Sequence, residues 1–272
     1  MRFFGPAGAY RAGYCWNMSQ EETLRKAVIH YSHAVHQRGW VANHDGNLTA
    51  KLAPGRFVST PTAVSKGQVS SEMLIVVDGE GQVLQGTRKA FSELKLHLAA
   101  YRTRGDIGAV LHAHPPTATG FAVAGVPLEG PFMAEPVVSL GPEIPLIPFG
   151  LPGEPELEAQ LAGALGGADA VLLGNHGVLT VGPDLETCFL RMELVEHLCK
   201  VALVARQLGG PRLLPGETVA ALAKKHAGLF PREVQEPGTR LPSASDRSAG
   251  DSEYSSGDAD RLVADALRRL GR

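Results

Sequence analysis

With 272 residues, 44% of them hydrophobic and 20% charged, the chain has the make-up of an ordinary globular protein with room for a substantial core. A net charge of −2 gives no field to gather nucleic acid or an anionic membrane surface, and no stretch approaches the length of an apolar bilayer span. Cys15, Cys188 and Cys199 lack CxxC spacing, which argues against a disulfide framework and suits a reducing, cytoplasmic setting.

In chain order, residues 1–18 read as a flexible leader. Ser19-Gln-Glu-Glu22 has the form of a capping box, with Ser19 as N-cap of a helix that runs to about Arg38 and ends at Gly39. Short strands are expected near 47–52 and 56–60, then over Met73–Val77, with Asp78–Gln82 as a hairpin turn into Val83 and Leu84. Phe91–Arg104 has helical periodicity, with Leu94, Leu98 and Tyr101 on one side. A strand over 108–112 follows, then a helix opened by Pro115-Pro116 and continuing to about Ala124. The proline-rich region 127–152 reads as short extended pieces. Glu154–Leu165 is expected to be helical, strands flank His176, and helices cover Pro183–Leu208 and Gly216–Ala227. The composition of 231–257 predicts a flexible linker, and 258–272 a short C-terminal amphipathic helix. The expected organisation is one α/β domain over 19–230.

The chemistry concentrates at Gly108-Ala-Val-Leu-His-Ala-His-Pro-Pro116. Residues i and i+2 of a strand share a face, so His112 and His114 present two imidazoles in the same direction where prolines end the strand. Two such rings can hold one divalent metal, although a strand-end histidine is more often a satisfied polar residue. His176, in a glycine-flanked break between two apolar runs, is a third candidate ligand. Glu93, at the start of the helix that leads into the His-x-His strand, is a fourth; the plain alternative is a carboxylate favoured at a helix start. Gly46-Asn47, Thr60-Pro61-Thr62 and Ser92 are small donors near chain breaks that could hold a phosphate or carboxylate, or could simply be turn and cap residues. Neither a GxGxxG nor a P-loop pattern is present, so nucleotide binding has no support.

Taken together and in order, Asp45-Gly-Asn-Leu-Thr49, Thr60-Pro-Thr62, Ser92-Glu93, His112-Ala-His114-Pro and Asn175-His-Gly177 resemble the class II aldolase/adducin family, which includes L-fuculose-1-phosphate aldolase. The resemblance extends from about Glu22 to Leu208. It implies a three-layer α/β/α fold with a central, mainly antiparallel sheet flanked by helices. It also implies a homotetramer with sites between subunits. By the same resemblance Glu93, His112, His114 and His176 would bind Zn2+, with Mn2+, Co2+ or Fe2+ as alternatives, and Gly46, Asn47, Thr60 and Ser92 would hold the phosphate of a small-molecule substrate. The chain departs from the family's aldolases at Phe91, where a serine is usual, and at Ala63, where a glycine is usual. The tyrosine that serves those aldolases as an acid has no evident match; Glu135 is the nearest titratable residue in that region.

The implied activity is metal-dependent carbon–carbon lyase chemistry on a ketose phosphate or related hydroxy-carbonyl compound through a metal-stabilised enediolate, with Glu93 as ligand and proton shuttle. Decarboxylation of a 3-oxo acid uses the same electron sink and is the alternative, with epimerase or dehydratase chemistry beside it. A non-enzymatic adducin-like module would be expected to lack the ligand positions.

Overall fold

The computed structural model describes residues 12–243 and 246. The chain divides into two compact units, Met1–Pro242 and Ser243–Arg272. In the second, the Asp246 carboxylate accepts a hydrogen bond from the Ser243 backbone N–H at 2.6 Å. The helix expected over 258–272 lies outside the described residues.

Strand signals in the sequence become β1 (Asn47–Ala53), β2 (Arg56–Ser59), β3 (Ile75–Asp78), β4 (Val83–Gln85), β5 (Ala109–Ala113), β6 (Leu146–Ile147), β7 (Ala170–Leu173) and β8 (Gly177–Gly182). They form one sheet in the order β4-β3-β2-β1-β5-β8-β7-β6, antiparallel throughout except for β6 with β7. Side-chain alternation divides the core between the two faces. Ala109, Leu111 and Ala113 of β5 join a cluster with α1 (Ala12–Gln37), α3 (Pro116–Val123) and α6 (Leu185–Gln207). Val110 joins the opposite cluster, with α2 (Leu94–Thr103) and α5 (Pro155–Gly167). Two more helices, α4 (Ala134–Leu140) and α7 (Gly216–Leu229), pack on each other. The three-layer α/β/α architecture with a mainly antiparallel sheet is therefore the one expected.

Four local expectations are corrected. The first helix begins at Ala12, so Ser19 lies within it and is not its N-cap. No proline stands between Pro6 and Ser19 to stop the helix there. Its other end is as expected: Gly39 takes φ +67°, its N–H bonds to His36 O, and Trp40 N–H reaches back to Val35 O. Ser71–Met73 forms a 3-10 turn, so β3 starts only at Ile75. The proline-rich region contains α4, which accommodates Pro136 because first-turn N–H groups need no intrahelical acceptor.

The fourth correction concerns 231–242, expected to be a flexible linker. This segment is tied to the domain through Gly105 N–H to Glu233 O, Gln235 N–H to Thr103 O and Gly79 N–H to Pro242 O. A polar anchor that composition does not reveal adds to this. Asp169, with no exposed surface at the start of β7, takes Arg104 at 2.5 Å, Arg191 at 2.8 Å and Arg232 at 3.3 Å. Burial opposes ionisation of Asp169, but His226 and the arginines outweigh it and hold its carboxyl well below the usual range. Asp169→Asn strands those cations without their carboxylate. Urea denaturation at neutral pH is expected to show a loss of about 3–5 kcal/mol; a loss below about 1 kcal/mol would contradict this account of the anchor.

Candidate metal centre

β5 lies between β1 and β8, and its register sets the site. Asn47 is opposite His112 across β1–β5, and His112 is opposite Leu179 across β5–β8. By the alternation, His112 shares the face of Val110, towards α2. Glu93 immediately precedes α2, with φ −88° and ψ 6°, and makes no side-chain capping bond. It is therefore not a carboxylate within the first helical turn, and its side chain is directed elsewhere.

That side chain meets the histidines. Glu93 Oε1 lies 3.0 Å from His176 Nε2, and Oε2 lies 3.7 Å from His112 Nε2. His112 Nε2 and His114 Nε2 face each other at 3.1 Å. The three imidazoles contribute one nitrogen each to a group lying within 4.8 Å. His112 Nδ1 donates to Val178 O at 2.9 Å, which leaves the Nε2 lone pair for a ligand. Two ring nitrogens facing each other at this separation, with a carboxylate beside them, make a donor set that suits one divalent cation once both nitrogens are unprotonated. All four expected ligands thus come together.

Electrostatics agree with the geometry. His112 is 2% exposed, and burial pushes its pKa down to about 3, so the neutral ligating form persists through physiological pH. Burial disfavours charge on Glu93 as well. The His176 hydrogen bond, the neighbouring His112 and the Asn47 amide overcome that cost and hold its carboxyl well below the usual range. His114 is also pushed down, chiefly by burial.

The positions expected to hold an anion are used differently. Asn47 Nδ2 donates to Glu93 Oε2 at 2.6 Å, while its buried Oδ1 has no partner among the described residues. Thr60 has no exposed surface, and its hydroxyl accepts from Leu48 N–H at 3.1 Å. Gly46 is buried with φ +70°; a Cβ there would come within 2.5 Å of Val41 Cγ1 and 3.0 Å of His112 O. Ser92 alone of the four is exposed. Phe91 packs on His97, with ring centroids 5.1 Å apart, and Ala63 carries a strained φ of +57°. Glu135 lines a separate cavity with Thr187, Arg191 and Phe230.

Some contributors carried no sequence signal. The Val178 carbonyl and the Asn47–Glu93 bond emerge only from strand register. Lys66 is buried and donates to Val64 O at 2.8 Å and His44 O at 3.1 Å, joining two loops beside the site; burial lowers its pKa to about 8. Asp45, which the Asp45–Thr49 motif does include, places Oδ2 3.6 Å from His114 Nδ1.

Residues 26–203 match the family described as Class II Aldolase and Adducin N-terminal domain. The chain is 28% identical to the 5-deoxy-D-ribulose 1-phosphate aldolase of Bacillus thuringiensis serovar kurstaki over 205 residues, covering 75% of this chain and 95% of that protein. It is 30% identical to the 3-oxo-tetronate 4-phosphate decarboxylase of Escherichia coli O6:H1 over 192 residues, covering 68% of this chain and 88% of the relative. A solved L-fuculose 1-phosphate aldolase superposes with a TM-score of 0.69 at 30% identity, covering 75% of this chain and 95% of the other.

Gly177 offers a test of the packing around the ligands. A Cβ there would meet His114 Cδ2 at 2.5 Å and Ala113 O at 2.7 Å. Gly177→Ala is expected to displace the His114 ring and weaken Zn2+ binding at least about tenfold, measured by chelator competition. Wild-type affinity in that variant would contradict the placement.

Proposed function

Because this chain belongs to the class II aldolase/adducin family, we propose that it is a zinc-dependent lyase cleaving a carbon–carbon bond in a small ketose phosphate or related hydroxy-carbonyl compound. The observation that carries this reading is the convergence of Glu93 on His112, His114 and His176. A divalent cation held there would supply Lewis acidity, drawing electron density from a substrate carbonyl as the adjacent bond breaks. All-nitrogen and oxygen ligation suits zinc, and also admits Mn2+, Co2+ or Fe2+.

The side chains divide the remaining tasks. The three imidazoles bind through their neutral nitrogens, with Val178 O fixing the His112 ring. Glu93 is ionised and only half-buried, so it can act as a ligand and, with substrate bound, move a proton at its carboxylate. Asn47 Nδ2 steadies Oε2 of that carboxylate, and its unpartnered Oδ1 is an acceptor for a substrate hydroxyl. Contact with the anionic end of the substrate falls to Ser92 and the Gly46 turn, since Thr60 is held by Leu48 and Asn47 by Glu93.

Decarboxylation of a 3-oxo acid is the second reading, and a specific observation favours it. Neither Tyr101 nor Tyr31 serves the site: Tyr101 is buried with its hydroxyl 2.9 Å from Thr49 Oγ1, and Tyr31 packs on Phe189. Aldol cleavage needs an acid–base group at the departing carbonyl fragment, whereas loss of carbon dioxide does not. The same proposal includes a homotetramer with sites between subunits and a cytoplasmic location. The first is supported by family membership and by the exposed apolar side chains Leu203, Val204 and Leu208 of α6 and its end; the second by the free thiols Cys188 and Cys199. No helix among the described residues is long and apolar enough to cross a membrane.

Zinc-loaded protein incubated with ketose phosphates, unphosphorylated ketoses and 3-oxo acids is expected to release an aldehyde from a ketose phosphate. Carbon dioxide without aldehyde would establish the second reading instead. His112→Ala is expected to lose bound metal and turnover together, by at least about a thousandfold in kcat/KM; full turnover in metal-free protein would refute both readings.

A further inference from the structure

The sequence that makes the His-x-His segment leaves the next helix without a cap of its own. Pro115-Pro116 ends β5 and starts α3, and Pro115 occupies the N-cap with no side-chain acceptor. The N–H groups of Thr117 and Ala118 then point from the first turn into the interior, with no intrahelical partner available. An unpaired buried N–H costs about 1–3 kcal/mol, so some other group must accept these bonds.

That group is Glu196, from the middle of α6. It is 3% exposed, and both its oxygens are engaged. Oε1 accepts from Thr117 N–H at 3.2 Å and Thr117 Oγ1 at 2.8 Å, and Oε2 accepts from Ala118 N–H at 2.9 Å. Lys200, one turn along α6, lies 3.3 Å from Oε1. A carboxylate at a helix N-terminus also has a favourable interaction with the helix dipole.

The helix held in this way touches both ends of the candidate metal centre. Its first residue is two positions after His114, whose N–H bonds to Trp40 O at 2.8 Å. Its penultimate residue, Ala122, accepts from Asn175 N–H at 3.2 Å, directly before His176. Asn175 has φ +53°, a conformation that needs local support. α3 therefore braces His114 at one end and the His176 turn at the other, while α6 anchors the brace through Glu196.

We propose that Glu196 is a positioning residue for the metal centre, acting through α3 to hold His114 and His176 at ligating separation without itself touching metal or substrate. The proposal rests on the metal reading above. Removing the carboxylate frees the first turn of α3 to fray, and the two histidines then lose their common geometry.

The test is Co2+ titration of apo-protein, followed by visible absorption with chelator competition. The proteins compared are wild type, Glu196→Ala, Glu196→Gln and, as a destabilised control that leaves α3 and α6 untouched, Leu161→Ala in α5, across the sheet from both. Glu196→Ala is expected to weaken Co2+ binding about ten- to a hundredfold and to alter the ligand-field bands. Glu196→Gln, which keeps the shape and one acceptor oxygen, is expected to fold and to recover part of that affinity. Leu161→Ala should lower Tm with wild-type Co2+ affinity. If the folded Glu196 variants bind Co2+ within twofold of wild type with unchanged bands, the residue is a helix cap and nothing more. Failure of wild type itself to bind Co2+ would instead remove the metal reading, so the two failures are distinguishable.

Discussion

A hydrogen bond from His112 Nδ1 to Val178 O links the fold to its chemistry. It exists because β5 pairs with β8 in one register, and because the same strand pairs with β1 to set Asn47 opposite His112. A slip of one residue in either pairing would turn His112 to the α1 side of the sheet and send the Nε2 lone pair into the apolar core. With the register kept, a single strand directs one imidazole nitrogen to a carbonyl and the other to the site. The remaining ligands are brought to that nitrogen from loops. Glu93 comes from the residue before α2, His114 from just beyond β5, and His176 from the turn between β7 and β8.

Much of this was legible in the residues. Period-two alternation and the terminating prolines located β5, and His-x-His on one strand face followed from elementary geometry. The four ligand types at their spacing were enough to nominate the centre. What stayed hidden depended on contacts between distant positions. Glu196 lies in a long helix as one acidic residue among several, and only the fold reveals its three donors on α3. Thr60 looked like a free hydroxyl after a strand, yet β1–β2 pairing delivers Leu48 N–H to it. Composition failed at 231–242, where a polar and proline-rich segment is fixed by backbone bonds, by a buried aspartate and by Leu241 in the core.

Two buried carboxylates outside the candidate site show how this protein handles interior charge. Asp169 gathers arginines from three parts of the chain and ties the C-terminal part of the domain to the sheet. Glu196 takes up backbone donors that the double proline leaves without partners. In both cases charge in the core is tolerated because hydrogen bonds and ion pairs meet it. Glu93 differs in kind. It is half-buried, its partners are two histidines and one amide, and it is the carboxylate left free to exchange partners.

The departures at Phe91 and Ala63 bear on substrate more than on metal. Phe91 fills space against His97 in place of a hydroxyl, and Ala63 keeps a left-handed conformation that glycine would adopt without strain. Neither change replaces one of the four ligands. Everything proposed for the site depends on coordination by these four side chains, which anomalous diffraction from Zn2+-soaked crystals measures. One zinc peak is expected at about 2.0–2.2 Å from His112 Nε2, His114 Nε2, a His176 nitrogen and a Glu93 oxygen. A zinc peak bound elsewhere, with these four side chains keeping their mutual hydrogen bonds, would contradict it.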